Sequence, residues 1–238
     1  MEGRFSIKML DADLAKKVMV NKYSTRDYVY QQLKENIVNL KLEPGLSISE
    51  KEIAEWLSVS RTPVREAFVR LNQEQLLEVY PQRGTVVSLI DLKHVDDARF
   101  IREHLEVATV RVACESFPED KTALLEKNIE TQHRCVQEKD FEQLFELDEE
   151  FHSTIAIGSQ KARVWSVIQQ MNSHLNRVRL LSLASEFNWE TILRQHSEVL
   201  NAIKAKDPER AATVMAQHLQ LVSVDQNELK KAYPSYFK

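Results

Sequence analysis

Cysteine, glycine and proline are all scarce in this chain of 238 residues: two, four and six respectively. Two isolated cysteines, Cys114 and Cys135, cannot form a disulfide framework, so free thiols in a reducing cytoplasm are expected. With so few turn-forming residues, and β-branched runs scarce outside residues 76–90, a sheet-rich fold is excluded and a mostly α-helical one expected. No apolar run approaches the ~18 residues of a membrane span, and residues 1–21 lack the hydrophobic core of a secretory signal. An excess of one charge is missing too. The formal net charge is −4, and residues 1–90 carry 13 Lys+Arg against 12 Asp+Glu. An indiscriminate polycation is therefore excluded, and any nucleic-acid contact must come from locally placed basic groups.

What is present is concentrated in residues 49–71. Ser49 and Glu52 have the spacing of a capping box. Ile53, Ala54 and Leu57 then share a helix face, Ser58-Val59-Ser60 breaks the helix, and Ser60 can cap a second one with Pro63 in its first turn. Val64, Ala67, Phe68 and Leu71 form the buried stripe of that second helix, leaving Arg61, Thr62, Arg65 and Arg70 on other positions. The spacing alone fits either a helical hairpin with a solvated basic face or a helix-turn-helix that reads the major groove. Residues 76–89 add two β-rich runs around Pro81-Gln82-Arg83-Gly84, a wing with an arginine at its tip. A helix over 25–40 precedes the hairpin, and residues 1–24 read as an N-terminal arm.

Ser60-Arg-Thr-Pro-Val-Arg-Glu-Ala67, Arg70-Leu71 and Pro81-Gln-Arg-Gly-Thr-Val-Val-Ser88 resemble the winged-helix domain of GntR-family bacterial transcription regulators, over about residues 28–89. One departure is Gln75, where the family often has glycine; Gln75 must stop the helix without glycine's freedom. The resemblance implies a homodimer on double-stranded DNA with a pseudo-palindromic operator. Arg61 and Arg65 are the candidates for base edges, since Arg to guanine is the commonest specific pairing. Lys51, Ser60 and Thr62 are candidates for phosphates, and Arg83 and Gly84 for placing the wing tip near the minor groove.

Residues 91–238 read as a second domain, an antiparallel bundle of six helices over 92–116, 119–138, 140–157, 161–184, 188–204 and 208–229. Val95, Ala98, Ile101, Leu105, Ala108 and Val112 form the apolar side of the first; Val164, Ile168, Met171, Leu175 and Val178 that of the fourth. Gly158-Ser159 closes the third. Asp148 and His152 lie one turn apart on the third, His196 sits between apolar residues of the fifth, and His218 likewise in the sixth. Either each is a satisfied core group, or all four share one divalent transition metal: Zn²⁺ foremost, with Ni²⁺, Mn²⁺ or Fe²⁺ as alternatives. The four remaining histidines have no comparable partners.

Arg102-Glu-His-Leu-Glu106, Asp148-Glu-Glu-Phe-His152, Gln195-His196 and His218-Leu219 resemble the FCD effector domain of the FadR-like branch of the GntR family, over about residues 92–229. That resemblance implies that Asp148, His152, His196 and His218 bind the metal, beside which a small organic acid fills its open positions. It also places Arg102 at the cavity, although an ion pair with Glu106 at i+4 accounts for Arg102 equally well. Asn172, Arg177 and Arg179 are further effector candidates. The expected function is an effector-controlled DNA-binding regulator, not an enzyme. A short interdomain linker suggests that effector releases DNA. The other two readings are a regulator in which the ion itself is the signal and a metal-dependent enzyme fused to a DNA-binding domain.

Overall fold

The computed structural model describes residues 24–80, 84–185 and 188–238. These fall into two compact units, residues up to 90 together with 235–238, and residues 91–234. The arm expected over 1–24 lies outside the described residues except for Ser24, and so does Arg83.

In the first unit α1 (Thr25–Val38) starts at the Ser24 cap, whose hydroxyl accepts from the Asp27 N–H. α2 (Glu50–Leu57) carries the full Ser49/Glu52 capping box and ends on Ser58 at φ 54°. α3 (Arg61–Gln73) begins after Ser60, which occupies the cap position but makes no side-chain cap bond. Val29, Leu33 and Ile37 of α1, Ile53 and Leu57 of α2, and Val64, Phe68 and Leu71 of α3 close one core, with Val59 plugging the turn. Three strands, β1 (Ser47–Ile48), β2 (Leu77–Tyr80) and β3 (Gly84–Val87), form an antiparallel sheet in the order β1-β3-β2. In the hairpin register Leu77 faces Val87 and Tyr80 faces Gly84.

Gln75 does stop α3, and it does so in glycine's conformation, at φ 59°. Its N–H donates to the Asn72 carbonyl and the Leu76 N–H to the Leu71 carbonyl, with Leu71 and Leu76 both fully buried. This is a Schellman ending built without glycine. The apolar contact holds the backbone where its own preference does not.

The second unit is helical: α4 (Leu92–Glu115), α5 (Glu119–Glu138), α6 (Phe141–Gly158), α7 (Ala162–Met171), α8 (Ser173–Ala184), α9 (Trp189–Lys204) and α10 (Pro208–Ala232). The six expected helices are present, with the fourth interrupted at Asn172 so that it becomes α7 and α8. The interruption resets the helical phase, which leaves Met171 exposed while Leu175 and Val178 stay buried. The main core joins Val110 and Ala113 of α4, Leu125 and Ile129 of α5, Phe151 and Ile155 of α6, Leu200 and Ile203 of α9, and Met215 and Leu219 of α10.

Two expectations shift. Residues 235–238, assigned by sequence to the second domain, belong to the first unit, because the chain after α10 pairs with Ile90. Gly158 does not end α6 by conformational freedom: it is the last helical residue, and Gln160 takes the positive φ of 58°. Its role is closeness, since a Cβ there would lie 2.4 Å from the Phe117 ring. Gly158→Ala is accordingly expected to destabilise the second unit by about 1–3 kcal/mol through overpacking. Gln75→Gly is expected to stabilise the first unit by about 0.5–1 kcal/mol, the left-handed strain relieved less glycine's extra unfolded-state entropy. Urea midpoints at unchanged slope would show both.

Candidate metal centre and DNA-reading surface

Three helices aim four ligating side chains at one point. Asp148 and His152 lie one turn apart on α6, His196 comes from α9 and His218 from α10. One donor atom from each lies within 4.8 Å of the others, and all four residues are buried. His152 Nε2 is 3.1 Å from His218 Nε2, and Asp148 Oδ1 is 3.4 Å from His196 Nε2.

The outer atoms of the rings show which way the lone pairs point. Gln132 of α5 is fully buried, and its amide nitrogen donates to Asn128 Oδ1 at 2.6 Å. Its oxygen therefore faces His196 Nδ1, at 2.8 Å, and accepts from it. That fixes the proton on Nδ1 and leaves Nε2, buried and without a hydrogen-bond partner, pointing its lone pair at the Asp148 carboxylate. Phe151 stacks on the ring at 4.1 Å and holds its plane. Glu106 of α4 accepts from His152 Nδ1, directing that ring's Nε2 inward as well. A lone pair set against a carboxylate oxygen in a buried place is repulsive unless a cation stands between them. The donor set, one carboxylate and three imidazoles each turned to present nitrogen, fits a divalent transition metal.

Electrostatics agree with that fit. Burial pushes His196 down to about 3 and His218 well below the usual imidazole range, so both are neutral and able to ligate at pH 7. Burial opposes ionisation of Asp148, yet the Arg179 guanidinium beside it outweighs that and holds the carboxyl well below the carboxylate range. Glu106 is likewise brought to about 2, its burial outweighed by Arg102 and His152.

A cavity opens beside the cluster. Arg99 and Arg102 of α4, Leu175, Arg179 and Ser182 of α8, Ile192 of α9 and His218 of α10 line it, together with Asp148. Arg102 satisfies both roles that the sequence left open: its Nε donates to Glu106 at 2.5 Å, while a buried Nη2 has no partner. Arg99 Nε is unpartnered too. Arg179 pairs with Asp148 and Glu149 and lies 5.0 Å over the Phe145 ring. Asn172 and Arg177 are buried but do not line this cavity. Arg177 lies two residues from Leu175 and from Arg179, about 200° around the helix from each, so it faces the other way. Gln132, Asn128 and Arg99 were missed from sequence. The available signal was Asn128 and Gln132 at i, i+4 on the otherwise apolar face of Leu125, Ile129 and Cys135.

On the first unit, Lys51, Ser60, Arg61, Thr62 and Arg65 are all exposed. Arg65 is held by Glu50 of α2 in a two-bond fork, both bonds 3.0 Å, which leaves only its terminal edge to offer. Arg70 instead covers the Tyr30 ring at 3.5 Å and pairs with Glu74, a packing role. Gly84 begins β3 at φ 100°.

The first unit matches the bacterial regulatory proteins of the gntR family over residues 25–87, and the second matches the FCD domain over residues 97–221. The chain belongs to the GntR family. It is 32% identical to the HTH-type transcriptional repressor RspR of Escherichia coli strain K12, over 88% of this chain and 92% of that one. It is 33% identical to an HTH-type transcriptional regulator in an unstable DNA locus of Streptomyces ambofaciens, over 91% of each. Among solved structures it resembles E. coli McbR/YncC, with a TM-score of 0.74 and 25% identity over 89% of this chain and all of that one. This GntR/FCD protein is therefore a DNA-binding transcription regulator. Among its described residues no helix is long and apolar enough to cross a membrane.

Proton-detected ¹⁵N NMR of metal-free protein is expected to show His196 protonated on Nδ1. Gln132→Met should raise the Nε2-protonated form, and Gln132→Glu, which keeps the acceptor, should not. An Nε2 proton in the parent would contradict the inward lone pair.

Proposed function

We propose that this GntR/FCD protein is a cytoplasmic, homodimeric repressor whose affinity for a pseudo-palindromic operator is controlled by a small organic acid bound beside a divalent metal. Asp148, His152, His196 and His218 would hold the metal, with Zn²⁺ favoured by the imidazole-rich set. When bound, the ion supplies fixed positive charge and open coordination positions to which a carboxylate oxygen can bond.

The observation that carries the reading is the charge of the buried cluster. Arg102 and Arg179 face Glu106, Asp148 and Glu149, two positive groups against three negative, a net of one negative charge. A divalent cation turns that into one positive charge in a buried place, and an anion is then the missing partner. The chain's own groups are set to receive it. Arg102 offers a free N–H from the cavity wall, Arg99 offers another, and Leu175, Ile192 and Leu219 exclude water around the carbon skeleton. A second carboxylate on the ligand would find Arg102, in the charge-assisted geometry that arginine favours. Glu106 keeps that arginine in place while orienting His152, so the anion and metal positions share one buttress.

At the DNA end, Arg61 and Arg65 are assigned to base edges and Lys51, Ser60 and Thr62 to phosphates. Glu50 presets the Arg65 guanidinium before DNA arrives, which reduces the ordering cost on binding. The repressor sense is drawn from the relative RspR, named as a transcriptional repressor.

Elemental analysis of purified protein should find about one divalent transition metal per chain, and none in a His152/His196/His218 triple alanine variant. An absence of metal in the parent would remove the metal from the account. On an operator selected from a random duplex pool, Arg65→Ala should cost about 1–3 kcal/mol and relax preference at the contacted base pair. Unchanged affinity would remove Arg65 from the reading surface.

A further inference from the structure

The chain crosses between its compact units twice, at 90–91 and again at 234–235. After α10 ends at Ala232, Tyr233 and Pro234 lead back, and residues 235–238 become part of the winged-helix unit. Main-chain bonds hold them there. The Ile90 N–H donates to the Tyr236 carbonyl at 2.7 Å, and the Lys238 N–H donates to the Ile90 carbonyl at 3.1 Å. Ile90 and Phe237 thus form a parallel bridge, and both side chains are buried, at 0% and 5% exposure. The Lys238 ammonium lies 3.4 Å from Glu78 on β2, so the segment is fastened to the wing hairpin as well.

We propose that residues 235–238 are a strap that couples the winged helix to α10, the helix that carries His218. A single linker ending at Ile90 would leave the DNA-binding unit free to reorient about one backbone segment. Here the second crossing is hydrogen-bonded to the first at that very residue, so the two crossings move as one. His218 lies 14 residues before Ala232 on one continuous helix, about 21 Å of rigid rod. Only Tyr233 and Pro234 separate that rod from the strap, and proline limits the slack between them. A shift of α10 caused by events at His218 is therefore delivered to Ile90 and Glu78. Where the signal originates rests on the metal-site reading; the coupling itself does not.

The test uses the full chain, a variant lacking residues 235–238, and Phe237→Ala as a milder change that keeps the chain length. The first readout is independent of metal. The parent is expected to unfold in urea in one transition whose midpoint falls with Gly158→Ala across both units. The shortened variant should unfold in two, with the winged-helix step indifferent to Gly158→Ala and the Ile90 amide exchanging rapidly. A shortened variant that still unfolds in one step, or a parent that unfolds in two, would overturn the strap. The second readout is operator affinity of Zn²⁺-loaded against chelator-stripped protein. The ratio should fall at least fivefold towards unity in both altered proteins while zinc content stays the same; a retained ratio would overturn the transmission. Should Zn²⁺ leave the parent's operator affinity unchanged, the ion alone is not the signal, and the unfolding readout still decides the strap.

Discussion

The second unit depends on one carboxylate. Asp148 sits in the middle of a helical bundle at 6% exposure, where an uncompensated charge would cost several kcal/mol. Arg179 pairs with its Oδ2, which His152 Nε2 also approaches at 3.9 Å, His196 Nε2 stands 3.4 Å from its Oδ1, and His218 completes the cluster. Each of those groups then needs support of its own. Gln132 and Asn128 turn His196, Glu106 turns His152, and Arg102 balances Glu106. The polar chain thus runs through α4, α5, α6, α8, α9 and α10. It gives the bundle a single register, since sliding any of these helices by a turn would strand a buried charge. The stability this adds is modest, because buried ion pairs do little more than offset their desolvation. What it contributes is a precise internal surface with neutral nitrogen donors on one side and unsatisfied arginine N–H groups on the other.

The winged helix is organised differently. Its main core cluster is apolar, and Arg65 and Arg70 lie on the outside, where Glu50 holds Arg65 and Tyr30 carries Arg70. One unit therefore keeps its chemistry inside and the other presents it. The chain joins them at Ile90, where residues 235–238 add a parallel bridge. The proposed function suits such a division, since a site for a small anion gains from being shielded from water and a surface that meets a duplex must be open.

Much of this was legible in the residues. The capping box at Ser49, the plug at Val59 and the stripe from Val64 to Leu71 are local patterns, and they fold as local patterns predict. The four residues that the structure brings together in one buried cluster were legible because histidine and aspartate on apolar faces stand out. The long helix α4 was misread in detail. Its apolar residues Ile101, Leu105, Ala108 and Val112 suggested one stripe, while the face that is actually buried carries Arg102, Glu106, Thr109 and Val110. Periodicity assumes that burial follows hydrophobicity, and here the site reverses that rule over two turns. Gln132 escaped notice for the same reason, a polar residue inside with a purpose visible only once His196 is beside it. The break at Asn172 and the return of residues 235–238 to the first unit depend on tertiary contacts that no local signal reports.

The central claim is that an anion in the bundle changes how tightly the winged helices hold DNA. It is tested most directly by operator titrations of metal-loaded protein, followed by fluorescence anisotropy, against a panel of mono-, di- and tricarboxylates whose binding is measured in parallel by calorimetry. The account predicts that at least one acid that binds weakens operator affinity tenfold or more, and that His196→Ala abolishes both its binding and the response. An acid that binds stoichiometrically at this site and leaves operator affinity unchanged would contradict it.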